Sequence, residues 1–337
     1  MNEIGSEFWS VNTAAEDNGL FNSNVSWYLS GRAALNAVVC DIKGHNNVKT
    51  AALPSWCCDS MIMPFLKNGI EVEFYPIYFN NGMLFQDTKM VKDADIVLLM
   101  DYFGYIRQPE AEFDGIVIRD ITHSVLSRDN KKADYYFGSM RKWAGFYTGG
   151  FAYRHNGEKI AVKSAEKDFS YIALRKQAME QKELYIRQKS ASKDYLCEFA
   201  EAEEYLENCL IGGADMRDIN CALTFDVKSV RDARRKNARV ILRELSDMAV
   251  FKELKENDCP LFVPLLIDED KRDALKNHLI KKQIYCPVHW PVTEFHKLND
   301  KTEEIYKKEI SIVCDQRYTV NDMKRIASEI KYFLNLR

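Results

Sequence analysis

The runs Asp95-Ile-Val-Leu-Leu-Met100 and Gly115-Ile-Val-Ile-Arg119 constrain the fold more than any other feature of this chain. Each is a strand-length apolar stretch without alternation, the pattern of a strand covered on both faces. Upstream, Val25–Leu29, Thr50–Pro54 and Ile70–Tyr75 also read as strands, and helix-length segments at Arg32–Cys40 and Asp59–Asn68 separate them. Strands spaced by helices imply βα units and a mainly parallel sheet. The expected class is α/β, a mainly parallel central sheet flanked by helices.

The pattern changes near His155. Residues Glu158 to Leu210 are charged, proline-free and helix-prone, and a further helical stretch runs from about Val227 to Glu256. Then follow a strand at Leu261–Ile267, a helix at Lys271–Lys282, short strands at Ile284–Pro287 and Ile310–Cys314, and a last helix opened by Thr319-Val-Asn-Asp322 with good cap chemistry. This order predicts a large domain over 1–215, with its helical stretch at about 158–210, and a small α+β domain over 216–337.

A net charge of −3 over 337 residues gives no reason to expect nucleic acid or an anionic membrane as partner. No apolar run reaches membrane-spanning length, and the N-terminus lacks the basic and apolar regions of a signal peptide. The nine cysteines are odd in number and lack zinc-finger spacing, which predicts reduced thiols in a cytoplasmic protein. Cys286, His289 and His296 match no common ligand spacing, so no metal is expected.

Open α/β sheets bind ligands at the C-terminal ends of their strands, and the chemistry-bearing residues fall at such ends. Ser30-Gly31-Arg32-Ala33 opens a helix after a strand, where backbone amides can hold a phosphate. Asp120 ends an apolar run and is followed by Ile-Thr-His123-Ser124. Asp134 to Tyr153 reads as strand, loop, Lys142, glycine pair, strand. Singly, each has a bland reading as a turn, a cap or a surface lysine. In this order they match what a pyridoxal 5'-phosphate (PLP) enzyme needs: an amine to form a Schiff base and a carboxylate to keep the pyridine nitrogen protonated.

Over about residues 25–155 the chain resembles the DegT/DnrJ/EryC1/StrS aminotransferases, a branch of the fold-type I PLP enzymes. The resemblance rests on Ser30-Gly-Arg-Ala-Ala-Leu35, Leu53-Pro-Ser-Trp-Cys-Cys-Asp-Ser60, Asp101-Tyr-Phe-Gly104, Arg119-Asp-Ile-Thr-His-Ser124, Ser139-Met-Arg-Lys142 and Gly149-Gly150. It implies that Lys142 carries the Schiff base, that Asp120 faces the pyridine nitrogen and His123 the ring hydroxyl, and that Gly31, Arg32 and Ala33 cradle the phosphate. The ring face falls to Trp56 or Cys58: alignment from the proline favours Cys58, stacking favours Trp56. It also implies an amino acid donor (glutamate in the family), a keto acceptor such as a nucleotide-linked keto sugar in surface-polysaccharide or secondary-metabolite biosynthesis, and a homodimer.

Three departures stand out. Where the family has a phosphate-binding serine, five residues before the lysine, this chain has Phe137, and the nearest serine is Ser139. The glycine-rich segment after the lysine appears as Tyr147-Thr-Gly-Gly150. The segment whose asparagine reaches the partner's phosphate appears as Gly212-Gly-Ala214-Asp215-Met-Arg217, and an aspartate there repels phosphate. The chain is also short for the family, with part of the usual N-terminal helical region expected to be missing. Tyr102, Tyr147, Arg217, His289 and Trp290 are aromatic or cationic candidates for a substrate pocket. Beside the aminotransferase stand two alternatives: a PLP-dependent sugar dehydratase, against which Lys142 argues, and a non-catalytic binding protein that keeps the fold.

Overall fold

The computed structural model describes residues 3–106, 113–128, 131–162 and 166–336. The first part of the chain runs β1 (Ile4–Gly5), β2 (Ser26–Tyr28), α1 (Gly31–His45), β3 (Thr50–Pro54), α2 (Asp59–Lys67), β4 (Glu71–Tyr75), β5 (Ile77–Asn80), β6 (Met83–Gln86), β7 (Ile96–Met100), β8 (Ile116–Asp120), β9 (Tyr135–Ser139) and β10 (Gly150–Arg154). Seven strands form one sheet in the order β2-β10-β9-β8-β7-β3-β4. β4, β3, β7, β8 and β9 are mutually parallel, and β10 runs antiparallel to both of its neighbours. This is the mainly parallel sheet that the apolar runs imply, and β7 is buried at all five positions.

α1 forms because Ser30 caps it: the Ser30 hydroxyl accepts from the Ala33 amide at 3.2 Å. Lys43 and His45 in its last turn suit the negative end of the helix dipole. Its apolar positions pack against β9, β10 and α2, in one continuous core with β3 and β7.

The remainder runs α3 (Phe169–Ile186), α4 (Tyr195–Glu207), α5 (Met216–Leu223), α6 (Val227–Leu245), β11 (Phe262–Leu266), α7 (Glu269–Lys281), β12 (Ile284–Tyr285), α8 (Asp300–Lys308), β13 (Glu309–Val313) and α9 (Val320–Phe333). α3 and α4 pack on each other as an antiparallel hairpin beside the sheet. The helical pattern starting at Val227 ends at Leu245, short of Glu256, because the chain turns back there and Ala249 bridges to Leu265 of β11. Helix character expected from Glu158 starts only at Phe169, where Asp168 caps α3.

A second apolar cluster joins Ala238–Leu245 of α6 to β11, α7, β13 and α9, and it includes Ile4. β1 pairs in parallel with β12, so the N-terminal strand belongs to the C-terminal lobe. α5 packs with Met140, Trp143 and Phe151 through Ala222, on the sheet side. The β5–β6 hairpin, α5 and α8 have no counterpart in the sequence expectations. Among the described residues no helix is long and apolar enough to cross a membrane.

The final helix carries the capping box that its sequence suggests, Thr319 with Asp322. Thr319→Ala is expected to cost about 1 kcal/mol, measured as a lower urea midpoint at unchanged m-value.

Candidate active site

The site assembles where β10 meets α1. Gly149 takes a positive φ of 121°, and a Cβ on Gly150 would lie 2.0 Å from the Ser30 carbonyl oxygen. Only a chain without side chains can pass so close. Gly31 in turn approaches Ser139, the last residue of β9. The amides that open α1 are thereby set beside the 3-10 turn Met140–Lys142. The amide of Met140 donates to the Gly149 carbonyl at 2.9 Å, and the next residue, Trp143, is fully buried with its indole N–H on the Thr122 carbonyl at 2.7 Å. The lysine turn is therefore fixed from both sides.

A cavity of about 280 Å³ lies at this junction, and Gly31, Arg32, Cys58, Asp120, His123, Ser139 and Lys142 all line it. Asp120, at the end of β8, and the exposed Lys142, in the turn after the parallel neighbour β9, thus line one cavity. Asp120 is 5% exposed, and its carboxylate accepts from the Thr122 amide at 2.8 Å. Burial outweighs this hydrogen bond and lifts its pKa from 3.8 to about 6. His123 Nδ1 accepts from the Phe103 amide at 3.3 Å, which leaves the proton on Nε2. Burial, then His289 and Lys142, push the imidazole pKa well below its usual value, so His123 is neutral. Its ring stacks on Trp290, centroids 5.9 Å apart.

Two of the predicted positions lie elsewhere. Trp56 is wholly buried in the core, stacked on Tyr102 at 4.9 Å, with its indole N–H on the His289 carbonyl. Cys58, half-buried and two residues on, is the one on the cavity wall; Trp56 supports Trp290 from behind, 5.5 Å away. Ala33 is also behind the wall, its amide already taken by Ser30. Among the pocket candidates His289 and Trp290 reach a cavity. Tyr102 is core, its hydroxyl on the Trp56 carbonyl, while Arg217 stacks on Tyr147 at 4.4 Å. Asp215 caps α5 through the Arg217 amide and pairs with Lys167 at 3.6 Å; neither it nor Ala214 lines the cavity. His289 and His296 bond to Ser311 and to the Cys57 carbonyl, respectively.

Several wall residues had no recognisable sequence signal. The C-terminal end of α4 covers the cavity through Glu203, Leu206 and Glu207. Arg32 donates to the carbonyls of Leu206 and Glu207, and Arg141 pairs with Glu203. Glu7, from the N-terminal segment, pairs with Arg175 at 2.7 Å. Its burial would raise its pKa, but Arg175 and Arg141 more than offset that and hold it at about 2.

The residues present fit PLP at the ring end, where a buried acid, a neutral histidine and a lysine converge. At the phosphate end, the amides of Gly31 and Arg32 have by position no acceptor within the helix. Phe137 stands on the wall in place of a hydroxyl, which leaves Arg32 as the cation of that end.

No protein-family model matches the chain, and no curated protein matches it significantly by sequence. Solved structures do match. A DegT DnrJ EryC1 StrS aminotransferase from Brucella abortus superposes with a TM-score of 0.60 at 15% identity, over 92% of this chain and 85% of that one. The chain shares the fold of that protein. PseC from Helicobacter pylori, an aminotransferase of pseudoaminic acid biosynthesis, gives 0.64 at 14% identity over 92% and 86%. The sugar aminotransferase Spr1654 from Streptococcus pneumoniae, in its PLP form, gives 0.63 at 12% identity over 92% and 87%. The aminotransferase fold thus spans both lobes of this chain.

Two outcomes follow for cofactor-free protein. Folding raises the Asp120 pKa from 3.8 to about 6, so the folded state holds that proton more tightly and loses stability as pH rises through about 6. The loss is of the order of 3 kcal/mol. Asp120→Asn escapes it, so the variant is expected to melt higher than the parent at pH 7.5, with the gap closing towards pH 4. Gly150→Ala meets backbone and is expected to cost more than 3 kcal/mol or prevent folding, read by circular dichroism and denaturant titration.

Proposed function

We propose that this chain is a PLP-dependent aminotransferase that moves an amino group from an amino acid donor to a keto acceptor. One observation carries the reading: Asp120 ends β8, Lys142 lies in the 3-10 turn after the neighbouring parallel strand β9, and both line the same cavity as Gly31 and Arg32 of α1. The fold agrees with it, since the structural relatives are aminotransferases.

Bound in that cavity, PLP would supply an electron-accepting ring that lets an α-proton leave as H⁺. Lys142 Nζ would hold the cofactor covalently and, as a free amine, would take the proton from the donor's α-carbon. Asp120 would be the residue that holds the ring nitrogen protonated, and a cation beside it would bring its raised pKa back down. His123 offers Nε2–H to the ring hydroxyl. The amides of Gly31 and Arg32 and the Arg32 guanidinium hold the phosphate. Cys58 and Trp290 would wall the ring. The acceptor is proposed to be a nucleotide-linked keto sugar, because PseC and Spr1654 are described as sugar-pathway aminotransferases. The nine free cysteines support a cytoplasmic location, and the fold supports a homodimer. The alternative is a non-catalytic protein, favoured by Phe137 and by the acidic side chains of Glu203 and Glu207 beside the phosphate end.

Protein supplied with PLP should be yellow, and borohydride should fix one cofactor to the peptide containing Lys142. Lys142→Ala should abolish the fixed adduct. Arg32→Ala should weaken PLP binding about 10- to 100-fold, the worth of a charge-assisted phosphate contact. Glutamate should convert the bound cofactor to pyridoxamine phosphate in single turnover. Colourless protein that takes up no PLP would sink the proposal in favour of the non-catalytic reading.

A further inference from the structure

Lys142 is exposed, and different parts of the molecule hold its two chain neighbours. Arg141 pairs with Glu203 of α4. Trp143 is buried, and the C-terminal lobe grips it at two points. Gln316, in the connection between β13 and α9, donates from Nε2 to the Trp143 carbonyl at 2.6 Å. Arg234 of α6 lays its guanidinium 4.6 Å over the Trp143 ring. Beside this turn lies a larger cavity, a chamber of about 440 Å³, lined by Lys142 and Arg234 together with Tyr285 of β12 and Val313 of β13.

The two grips belong to one device. Arg234 Nε donates to Gln316 Oε1 at 2.8 Å, so the amide nitrogen of Gln316 is the end left to face Trp143. The side-chain amide is a two-ended link with a single orientation, a guanidinium at one end and a backbone carbonyl at the other. The connection that carries Gln316 is itself fixed. Asn237 Nδ2 donates to the carbonyls of Asp315 and Tyr318 at 3.0 and 2.9 Å, and Arg317 holds the Asp315 carboxylate at 2.8 Å. Arg234 is 1% exposed; its Nη1 donates to the carbonyls of Pro260 and Leu261, and its Nη2 has no acceptor. Asp315 attracts it but is committed to Arg317. A buried guanidinium without a carboxylate of its own weighs against the fold, and filling a core does not require a charge. What this charge does is aim Gln316.

We propose that Gln316, oriented by Arg234, is a positioning residue for Lys142. With its amide on the Met140 carbonyl and its own carbonyl on Gln316, Trp143 cannot rotate, and the backbone of Lys142 beside it is fixed. The exposed lysine side chain then starts from one place, set from the C-terminal lobe. The proposal deepens the aminotransferase reading and rests on it for what the amine does, but the placement of the amine can be measured without cofactor.

Two variants separate positioning from packing. Gln316→Leu loses both hydrogen bonds. Gln316→Glu, near pH 8 where the carboxylate is ionised, keeps an acceptor for Arg234 but has no donor for the Trp143 carbonyl. Thermal melts should therefore place Gln316→Glu at or above the parent and Gln316→Leu below it. Lys142 should respond to both alike. In cofactor-free protein, acetylation of Lys142, measured against the exposed Lys67 in the same digest, should rise about 3- to 10-fold, the range for loss of one hydrogen bond, because the amine is no longer held in place. In protein supplied with PLP, the rate of borohydride fixation at Lys142 should fall by a similar factor. Circular dichroism checks folding; should Gln316→Leu not fold, Gln316→Glu decides alone. An unchanged acetylation ratio in Gln316→Glu, or fixation at the parent rate, overturns the positioning role. A raised ratio in protein that takes up no PLP upholds that role and overturns the aminotransferase reading.

Discussion

Everything at the cavity depends on one close approach of backbone to backbone. β10 passes the Ser30 carbonyl at a distance that excludes even a methyl group, and this contact sets the first turn of α1 against the lysine turn. Sheet register does the rest. Asp120 ends β8 and Ser139 ends β9, and Gly150 pairs with Ser139 on one side and Tyr28 on the other. Amide donors, carboxylate and amine are then presented at one sheet edge without any long loop. Asp120 is held on a strand, and Lys142 on the short turn that follows the neighbouring one.

The burial that builds this site also sets its electrostatics. Asp120 and His123 are both displaced towards their neutral forms by the same lack of water. A cation bound beside Asp120 would restore its ionised state. The site is therefore strained towards its ligand: without it, the carboxylate is a cost to the fold. At the other end, Arg32 sits on the last carbonyls of α4, where the helix dipole is negative. A phosphate competes for that guanidinium with carbonyl groups rather than with a committed salt bridge.

Much of the fold was legible because it is written in local pattern. The unbroken apolar runs at β7 and β8 announce buried parallel strands, and Ser30, Thr319 and Gly149-Gly150 mark their own positions by cap and turn chemistry. Gly31, Asp120, His123, Ser139 and Lys142, singled out because they end or closely follow strands, do line one cavity. Trp56 and Cys58 could not be separated, because two residues in a loop after β3 point to opposite sides and stacking preference says nothing about which side is core. Of the larger cavity, His123, Lys142, His289 and Trp290 were legible as candidates, but its other charged residues were not. Glu7, Arg175, Arg234 and Arg317 lie more than 30 residues from Lys142, and only packing between the lobes brings them together. The end of α6 was missed because a polar, helix-prone sequence continues past Leu245, while Ala249 is captured by β11.

β1 has only two residues, yet its consequence reaches far. By adding to β12 it anchors the chain's beginning to the C-terminal lobe, and the next residues run directly into the chamber as Glu7 and Phe8. Glu7 grips Arg175 of α3, on the other lobe. The opening segment is thus a tether between two halves, and any hinge motion of one against the other must stretch or release it. A change in the β1–β12 pairing would therefore be felt at the cavity that Glu7 and Phe8 line.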